Sequence, residues 1–182
     1  MNARDYSIKK FQDLNIYYDG KPYSFHLDDV LSIIHTFGYN NIDFIDFDYY
    51  LEDTVFLHDI IEDTDETELS LKSIFNPITA RAVYYCSDEY GENRTERKSL
   101  TNLKFKKLNP SLYPDMLALI VKPADRLANM RYSFSSKSSM MKRYFKEYSE
   151  FRSSIYRNGV CDAIWLELDE EYKKYCDFFI VN

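Results

Sequence analysis

The stretch of sequence that decides the fold is HDIIEDT, at residues 58–64. Apolar spacing predicts a helix over residues 48–63, on which His58 and Asp59 project about 100° apart, so that both side chains can reach one ion. Glu62 and Asp63 follow one turn later on the same side of this helix. The pattern therefore places candidate metal ligands beside candidate acid and base groups.

Two other segments carry residues that can complete a metal site. His26 opens an apolar helix predicted over residues 23–37, and Asp125 lies in a second apolar helix, one turn before Asn129. A carboxylate in such a helix is expected to be partly buried and to need a charged partner. Each residue taken alone is typical of a solvated surface. Two imidazoles and two carboxylates together can hold a divalent cation and leave positions open for water and a phosphate oxygen. The predicted ligand set is His26, His58, Asp59 and Asp125.

The order of these motifs resembles the HD phosphohydrolase superfamily, and the longer matches resemble the hydrolase domain of RelA/SpoT-type enzymes and small alarmone hydrolases. The matching stretches are GKPYSFH at 20–26, LHDIIEDT at 57–64, ERK at 96–98 and KPADRLANMR at 122–131. The resemblance covers about residues 15–157. It implies an all-α, single-domain HD-type helical bundle with a metal site between helices. It also implies a hydrolase that removes the 3′-pyrophosphate of guanosine tetra- and pentaphosphate, (p)ppGpp, typically with manganese (Mn²⁺).

The resemblance assigns roles to further residues. Glu62 and Asp63 match the family's catalytic pair, although the sequence leaves open which of them orients water and which shuttles a proton. Asn129 matches a residue that contacts the nucleoside. Candidate phosphate contacts are Lys98, Arg97 and Lys122. Arg126 is a weaker candidate, because a helix residue next to a ligand can face outward.

The chain departs from the family pattern near the expected base pocket. Tyr17 and Tyr18 stand where relatives generally carry an Arg or Lys that packs against guanine, so one of these rings is expected to stack on a purine. Lys21, in the following turn, is a further candidate substrate contact. This change leaves an alternative open, an HD phosphohydrolase acting on (p)ppApp or NADPH. A non-catalytic nucleotide-binding module is a third possibility, disfavoured because no catalytic position is missing.

Cap and turn signals extend the helical prediction along the chain. The predicted helices cover residues 3–14, 23–37, 48–63, 67–75, 78–86, 140–157 and 160–179, with one more opening near 111–114. The charged run 94–107 is expected to form a loop, and Pro123 is expected to kink its helix. The aromatic residues of the last two helices are expected to pack in the core. His35 lies about two and a half turns beyond His26 and is not expected to be a ligand.

Composition agrees with one compact domain over residues 1–182, with an N-terminal helix at 1–14 and C-terminal helices over 140–182 packing on the core. Three cysteines without C-x-x-C spacing argue against a disulfide framework or zinc knuckle. The net charge of −7 argues against nucleic-acid or anionic-membrane partners. No signal-peptide or membrane-spanning pattern occurs, so a cytoplasmic enzyme with a small nucleotide substrate is expected. The sequence does not define an oligomeric state.

Overall fold

The computed structural model describes residues 1–39 and 44–181, with side chains described through residue 178. Helices form almost all of the regular structure in these ranges, so the all-α prediction is confirmed. The helices are α1 (Ala3–Asp13), α2 (Ser24–Phe37), α3 (Phe47–Leu57), α4 (Ile60–Asp63), α5 (Glu68–Ile74), α6 (Pro77–Cys86), α7 (Arg94–Lys106), α8 (Tyr113–Ser135), α9 (Met140–Ile155) and α10 (Asp162–Val181). A short antiparallel hairpin, β1 (Tyr17–Tyr18) with β2 (Lys21–Pro22), precedes α2.

The sequence predicts one uninterrupted helix over residues 48–63. This prediction is wrong, because the structure divides the segment into two helices. α3 ends at Leu57, His58 and Asp59 form a turn, and α4 begins at Ile60. The carbonyl oxygen of Val55, which a continuing helix would offer to the amide of Asp59, lies 2.7 Å from Nδ1 of His58. This side-chain hydrogen bond competes with the helical ladder and sets both ligand residues at a junction between helices.

The prediction of a loop over residues 94–107 is wrong, because most of this charged run forms α7. The Asn93 side chain accepts a hydrogen bond from the amide of Glu96 and so caps the N-terminus. Lys104 and Lys106 lie in the last turn, where cations interact favourably with the helix dipole. Thr101 and Phe105 are buried, which gives the helix an inner face.

The central element is α8, which packs against α2, α3, α6, α9 and α10. It continues through Pro123, whose side chain is buried, to Ser135; the kink at this proline stays a prediction. The main core surrounds α8 and includes Trp165 and Tyr175, as predicted for the C-terminal aromatics, whereas Phe178 of the same predicted set is 44% exposed. A second core lies beneath α1 and includes Phe11 and Tyr23. Among the described helices, none combines the length and hydropathy that crossing a membrane requires.

Candidate active site

Four side chains from three parts of the fold meet at one point. His26 comes from the first turn of α2, His58 and Asp59 from the junction between α3 and α4, and Asp125 from the middle of α8. One ligand atom from each lies within 4.8 Å of the others. These are the four ligands predicted from the sequence.

The distances between the four atoms match those between ligands of one ion. Nε2 of His26 lies 3.3 Å from Nε2 of His58, 3.4 Å from Oδ2 of Asp59 and 3.2 Å from Oδ1 of Asp125. Nε2 of His58 lies 3.1 Å from Oδ2 of Asp59 and 3.7 Å from Oδ1 of Asp125. Bonds of about 2.1 Å at near right angles place neighbouring ligand atoms about 3 Å apart. The donor set therefore fits a divalent metal ion.

The hydrogen bond of His58 prepares its ring for such an ion. Nδ1 donates to the Val55 carbonyl, so Nε2 of the neutral imidazole carries the lone pair that faces the other three residues. Burial by itself lowers the pKa of His58, but Asp59 and Asp125 outweigh this effect and raise it to about 10. The pKa of His26 is raised as well, since the same carboxylates outweigh its burial. The cluster thus attracts a positive charge, supplied either by protons or by a cation.

Glu62 and Asp63 lie on α4, one turn beyond the candidate ligand Asp59. Oδ2 of Asp63 lies 2.6 Å from the Tyr23 hydroxyl, which also lies 2.8 Å from Oδ2 of Asp59. Burial, followed by the charge of Asp59, raises the pKa of Asp63 to about 6. Burial also raises the pKa of Glu62. Two carboxyl groups with raised pKa values beside the four candidate metal ligands are suited to proton transfer near neutral pH.

These groups line a polar cavity of about 160 Å³. Four cations also line its wall, of which Arg94 and Lys98 come from α7 and Lys122 and Arg126 from α8. The cavity lining is Tyr18, Tyr23, His26, Asp59, Glu62, Asp63, Arg94, Lys98, Lys122, Asp125, Arg126, Asn129 and Tyr144. Although the chain carries a net charge of −7, the cavity lining sets four cations against four carboxyl groups.

Each of the four cations is held by a neighbouring acid. Lys98 lies 2.7 Å from Asp88, which also donates its backbone N–H to Oε2 of Glu62 at 3.2 Å. Arg94 donates two hydrogen bonds to the carboxylate of Glu147, at 2.7 and 3.1 Å, and Nη1 of Arg126 lies 3.3 Å from the same carboxylate. These contacts fix the cations along the wall, where they can bind phosphate oxygens.

The structure brings some predicted substrate contacts into this cavity and leaves others outside its lining. Lys98, Lys122, Asn129 and Tyr18 line it. The predicted substrate contacts that do not line it are Arg97, Tyr17 and Lys21. Arg97 is rotated about 100° from Lys98 on the same helix. Tyr17 is 60% exposed, and Nζ of Lys21 lies 3.8 Å from the centre of the Phe25 ring, so their substrate roles stay predictions.

The sequence favours an outward direction for the Arg126 side chain, but in the structure this side chain is turned inward. It is 5% exposed and its guanidinium lies over the rings of Tyr144 and Phe151. Tyr144 also lines the cavity, although it belongs to the aromatic set that is predicted to pack in the core. Arg94 was recognised only as part of a charged loop; on a helix it falls one turn before Lys98, which puts both on one face. His35 is exposed and lies outside the ligand cluster.

Comparisons with known proteins show which proteins this chain resembles. No family model matches the chain. The chain is 28% identical over 123 residues to the bifunctional (p)ppGpp synthase/hydrolase SpoT of Escherichia coli K12. The matched stretch covers 68% of this chain and 18% of SpoT. The same identity and coverage hold for the guanosine-3′,5′-bis(diphosphate) 3′-pyrophosphohydrolases of Escherichia coli O157:H7 and Shigella flexneri. The chain thus matches only about a fifth of the length of these curated relatives.

A solved structure resembles the fold over nearly the whole chain. This structure is described as a metazoan ortholog of SpoT that hydrolyzes ppGpp and plays a role in starvation responses. The TM-score is 0.73 at 21% identity, with 94% of this chain and 92% of the other covered. The predicted HD-type helical fold and the resemblance to SpoT-type hydrolases are therefore confirmed.

Proposed function

We propose that this protein is a metal-dependent phosphohydrolase that removes the 3′-pyrophosphate of (p)ppGpp, giving GDP or GTP and pyrophosphate. The observation that carries the proposal is the cavity itself, which Glu62 and Asp63 line together with residues of the four-ligand cluster and four cations. The names of the relatives support this choice of substrate. A small cytoplasmic nucleotide is the expected partner.

His26, His58, Asp59 and Asp125 would hold one divalent cation, for which we propose Mn²⁺. When bound, such an ion acidifies water and neutralises phosphate charge. The His58–Val55 hydrogen bond keeps one imidazole lone pair directed at the ion, and Tyr23 orients the carboxylate of Asp59. The protein thereby contributes a fixed ligand geometry with little reorganisation on binding.

The carboxyl groups on α4 carry out the proton transfers. In the reaction, water adds to the phosphorus bound to the 3′-oxygen, the P–O bond to the ribose breaks, and the 3′-oxygen takes up a proton. We assign the base role to Asp63, because a pKa of about 6 leaves it ionised at neutral pH and still able to accept a proton. Glu62, whose pKa burial also raises, is then the group that orients the water or protonates the ribose oxygen.

The cationic wall binds the phosphates and opposes the repulsion that an anionic substrate exerts on its nucleophile. Arg94 and Arg126 present planar guanidinium groups suited to bidentate contacts with phosphate, whereas Lys98 and Lys122 act as point charges. Asn129 would contact the nucleoside. Together these groups bind the two phosphate chains of the substrate and hold the reacting phosphorus near the carboxylates.

A second substrate class is favoured by one observation. The hairpin presents Tyr18 to the cavity at the part of the chain where the resemblance leads one to expect a cation against guanine. An adenine alarmone, (p)ppApp, or NADPH is therefore the alternative substrate for the same carboxylates and metal ligands.

The proposal is tested with the full-length protein stripped of metal. Turnover of ppGpp, ppApp and NADPH is measured with and without Mn²⁺ by detecting phosphate and pyrophosphate. Chelation should abolish turnover and Mn²⁺ should restore it best among divalent ions. His35→Ala is the matched control, because His35 is exposed and outside the cluster, so its activity and metal content should equal those of the wild type. Full activity after exhaustive treatment with EDTA rules the proposal out.

A further inference from the structure

The hairpin places the two neighbouring tyrosines of β1 in different surroundings. Tyr17 is 60% exposed, whereas Tyr18 lines the cavity. The ring of Tyr18 stacks on the imidazole of His26, with centres 4.6 Å apart and planes inclined by 6°. One face of this ring is thus already covered by a candidate metal ligand. The contact fixes the plane in which the His26 lone pair points.

The hydroxyl group of Tyr18 reaches a second ligand through an amide. It donates a hydrogen bond to Oδ1 of Asn129 at 2.8 Å, and Nδ2 of Asn129 donates to Oδ1 of Asp125. A carboxylate only accepts hydrogen bonds, so the amide nitrogen must face Asp125 and the amide oxygen must face Tyr18. Burial raises the pKa of Tyr18, which keeps the phenol protonated as the donor this arrangement needs.

The other two ligands are oriented by different groups. His58 donates to the Val55 carbonyl, and Oδ2 of Asp59 lies 2.8 Å from the Tyr23 hydroxyl, which it shares with Asp63. Tyr18 contacts His26 directly and reaches Asp125 through Asn129. His26 and Asp125 are the two candidate ligands that neither Val55 nor the Tyr23 hydroxyl contacts through a hydrogen bond. His58 is therefore supported from α3 and His26 from the hairpin, while Asp125 is held by Asn129 and Lys122 of α8.

We propose that Tyr18 is a positioning residue of the metal site, which sets the plane of His26 by stacking and the orientation of Asp125 through Asn129. The inference rests on the proposed metal-dependent function, and it gives Tyr18 a role other than stacking on a purine. Groups that orient metal ligands typically contribute about 10- to 100-fold to metal affinity. Tyr18 should raise the affinity for a divalent ion even when no nucleotide is present.

The experiment titrates Co²⁺ alone into the metal-free full-length protein and records both the affinity by calorimetry and the visible spectrum of bound Co²⁺. Tyr18→Ala should weaken binding by about 10- to 100-fold and change the spectrum, because both contacts are lost. Tyr18→Phe keeps the stacked ring and loses the hydrogen bond, so it should recover most of the affinity and remain about threefold to tenfold weaker than wild type. Tyr17→Ala is the matched control and should bind Co²⁺ as wild type does.

The outcomes separate this inference from the function it rests on. If wild-type protein binds Co²⁺ and Tyr18→Ala binds it equally tightly with the same spectrum, the positioning role is overturned while the metal site stands. If the wild type binds no Co²⁺, the metal-dependent function and the inference both fail. Should Tyr18→Ala not fold, as judged by thermal unfolding of the metal-free protein, an unchanged affinity and spectrum in Tyr18→Phe overturn the inference.

Discussion

The ammonium nitrogen of Lys122 lies 3.1 Å from Oδ2 of Asp125, while Oδ1 of the same carboxylate faces the imidazoles of His26 and His58. Lys122 and Asp125 are each only 6% exposed. One oxygen of the Asp125 carboxylate thus faces the buried Lys122, and the other faces the two histidines of the candidate metal site. A bound divalent ion and Lys122 would compensate the same negative charge.

Lys122→Met should therefore destabilise the metal-free protein more than the metal-bound protein. Removing one partner of a buried ion pair leaves an uncompensated charge and costs about 3–5 kcal/mol. A bound ion neutralises Asp125 and should recover much of this loss. Urea unfolding of the wild type and the variant, each in EDTA and in excess Mn²⁺, measures the two differences in free energy of unfolding.

Lys98→Met is the control for this comparison. The partner of Lys98 is Asp88, which is not one of the four ligands, so its destabilisation should be the same with and without Mn²⁺. An equal loss in Lys122→Met under both conditions would show that the ion does not share the charge of Asp125.

Glu62→Gln and Asp63→Asn should separate catalysis from metal binding. Both changes remove a proton-transfer group and keep the four ligands, so turnover should fall by about two or more orders of magnitude while the metal stays bound. Metal content by atomic spectroscopy and the rate of pyrophosphate release are measured on the same samples. Near-normal rates in both variants would contradict the roles assigned to α4.

The activity should depend on the ionisation of Asp63. Its pKa is raised to about 6, first by burial, so a base at this position is ionised above that pH, and activity should decline as the pH falls through about 6. The Tyr23 hydroxyl favours the ionised form. Tyr23→Phe should therefore raise the pKa and move the acid limb to higher pH, while keeping the ring stacked on Phe11.

The pH profile is measured as kcat between pH 5 and 8 at saturating Mn²⁺, with metal content checked at each pH. Tyr6→Phe removes a hydroxyl that donates to Glu66, away from the cavity, and should leave the acid limb in place. Identical profiles for wild type and Tyr23→Phe would exclude Asp63 as the titrating base.

Much of the helical framework follows from local signals in the sequence. The helix predicted over residues 23–37 is α2, which ends before Gly38 at φ 69°, and the helix predicted over residues 78–86 is α6, although its cap is Asn76 and its first residue is Pro77. The interruption at His58 could not be predicted in this way. It depends on a buried imidazole reaching the Val55 carbonyl, and that geometry is set by the surrounding helices.

The candidate ligands could be selected from the sequence because their types and order are specific, whereas the cationic part of the cavity lining required the packed structure. The charge of residues 94–107 suggested a loop, although Thr101 and Phe105 bury one side of α7 and turn Arg94 and Lys98 toward the cavity. The inward direction of Arg126 depends on Glu147 of α9, a partner distant in sequence.

Metal binding should release protons. In the metal-free protein the pKa of His58 is raised to about 10, so His58 is protonated at pH 8, yet a ligating imidazole must be neutral. Binding of one ion at pH 8 should release about one proton or more, and metal affinity should fall as the pH is lowered. Calorimetry with Mn²⁺ in buffers of different ionisation enthalpy measures this number; an enthalpy independent of the buffer would contradict the charge state assigned to the cluster.

Product analysis of ppGpp incubated with the Mn²⁺-loaded protein tests whether the protein breaks the bond between the 3′-oxygen and phosphorus. Chromatography with phosphorus NMR should show GDP and pyrophosphate in equal amounts, with no guanosine 3′-monophosphate derivative, because the bond that breaks joins the 3′-oxygen to phosphorus. The same incubation with Glu62→Gln or Asp63→Asn should yield little of either product. Stepwise release of inorganic phosphate, or unchanged ppGpp in the presence of bound Mn²⁺, would contradict the account.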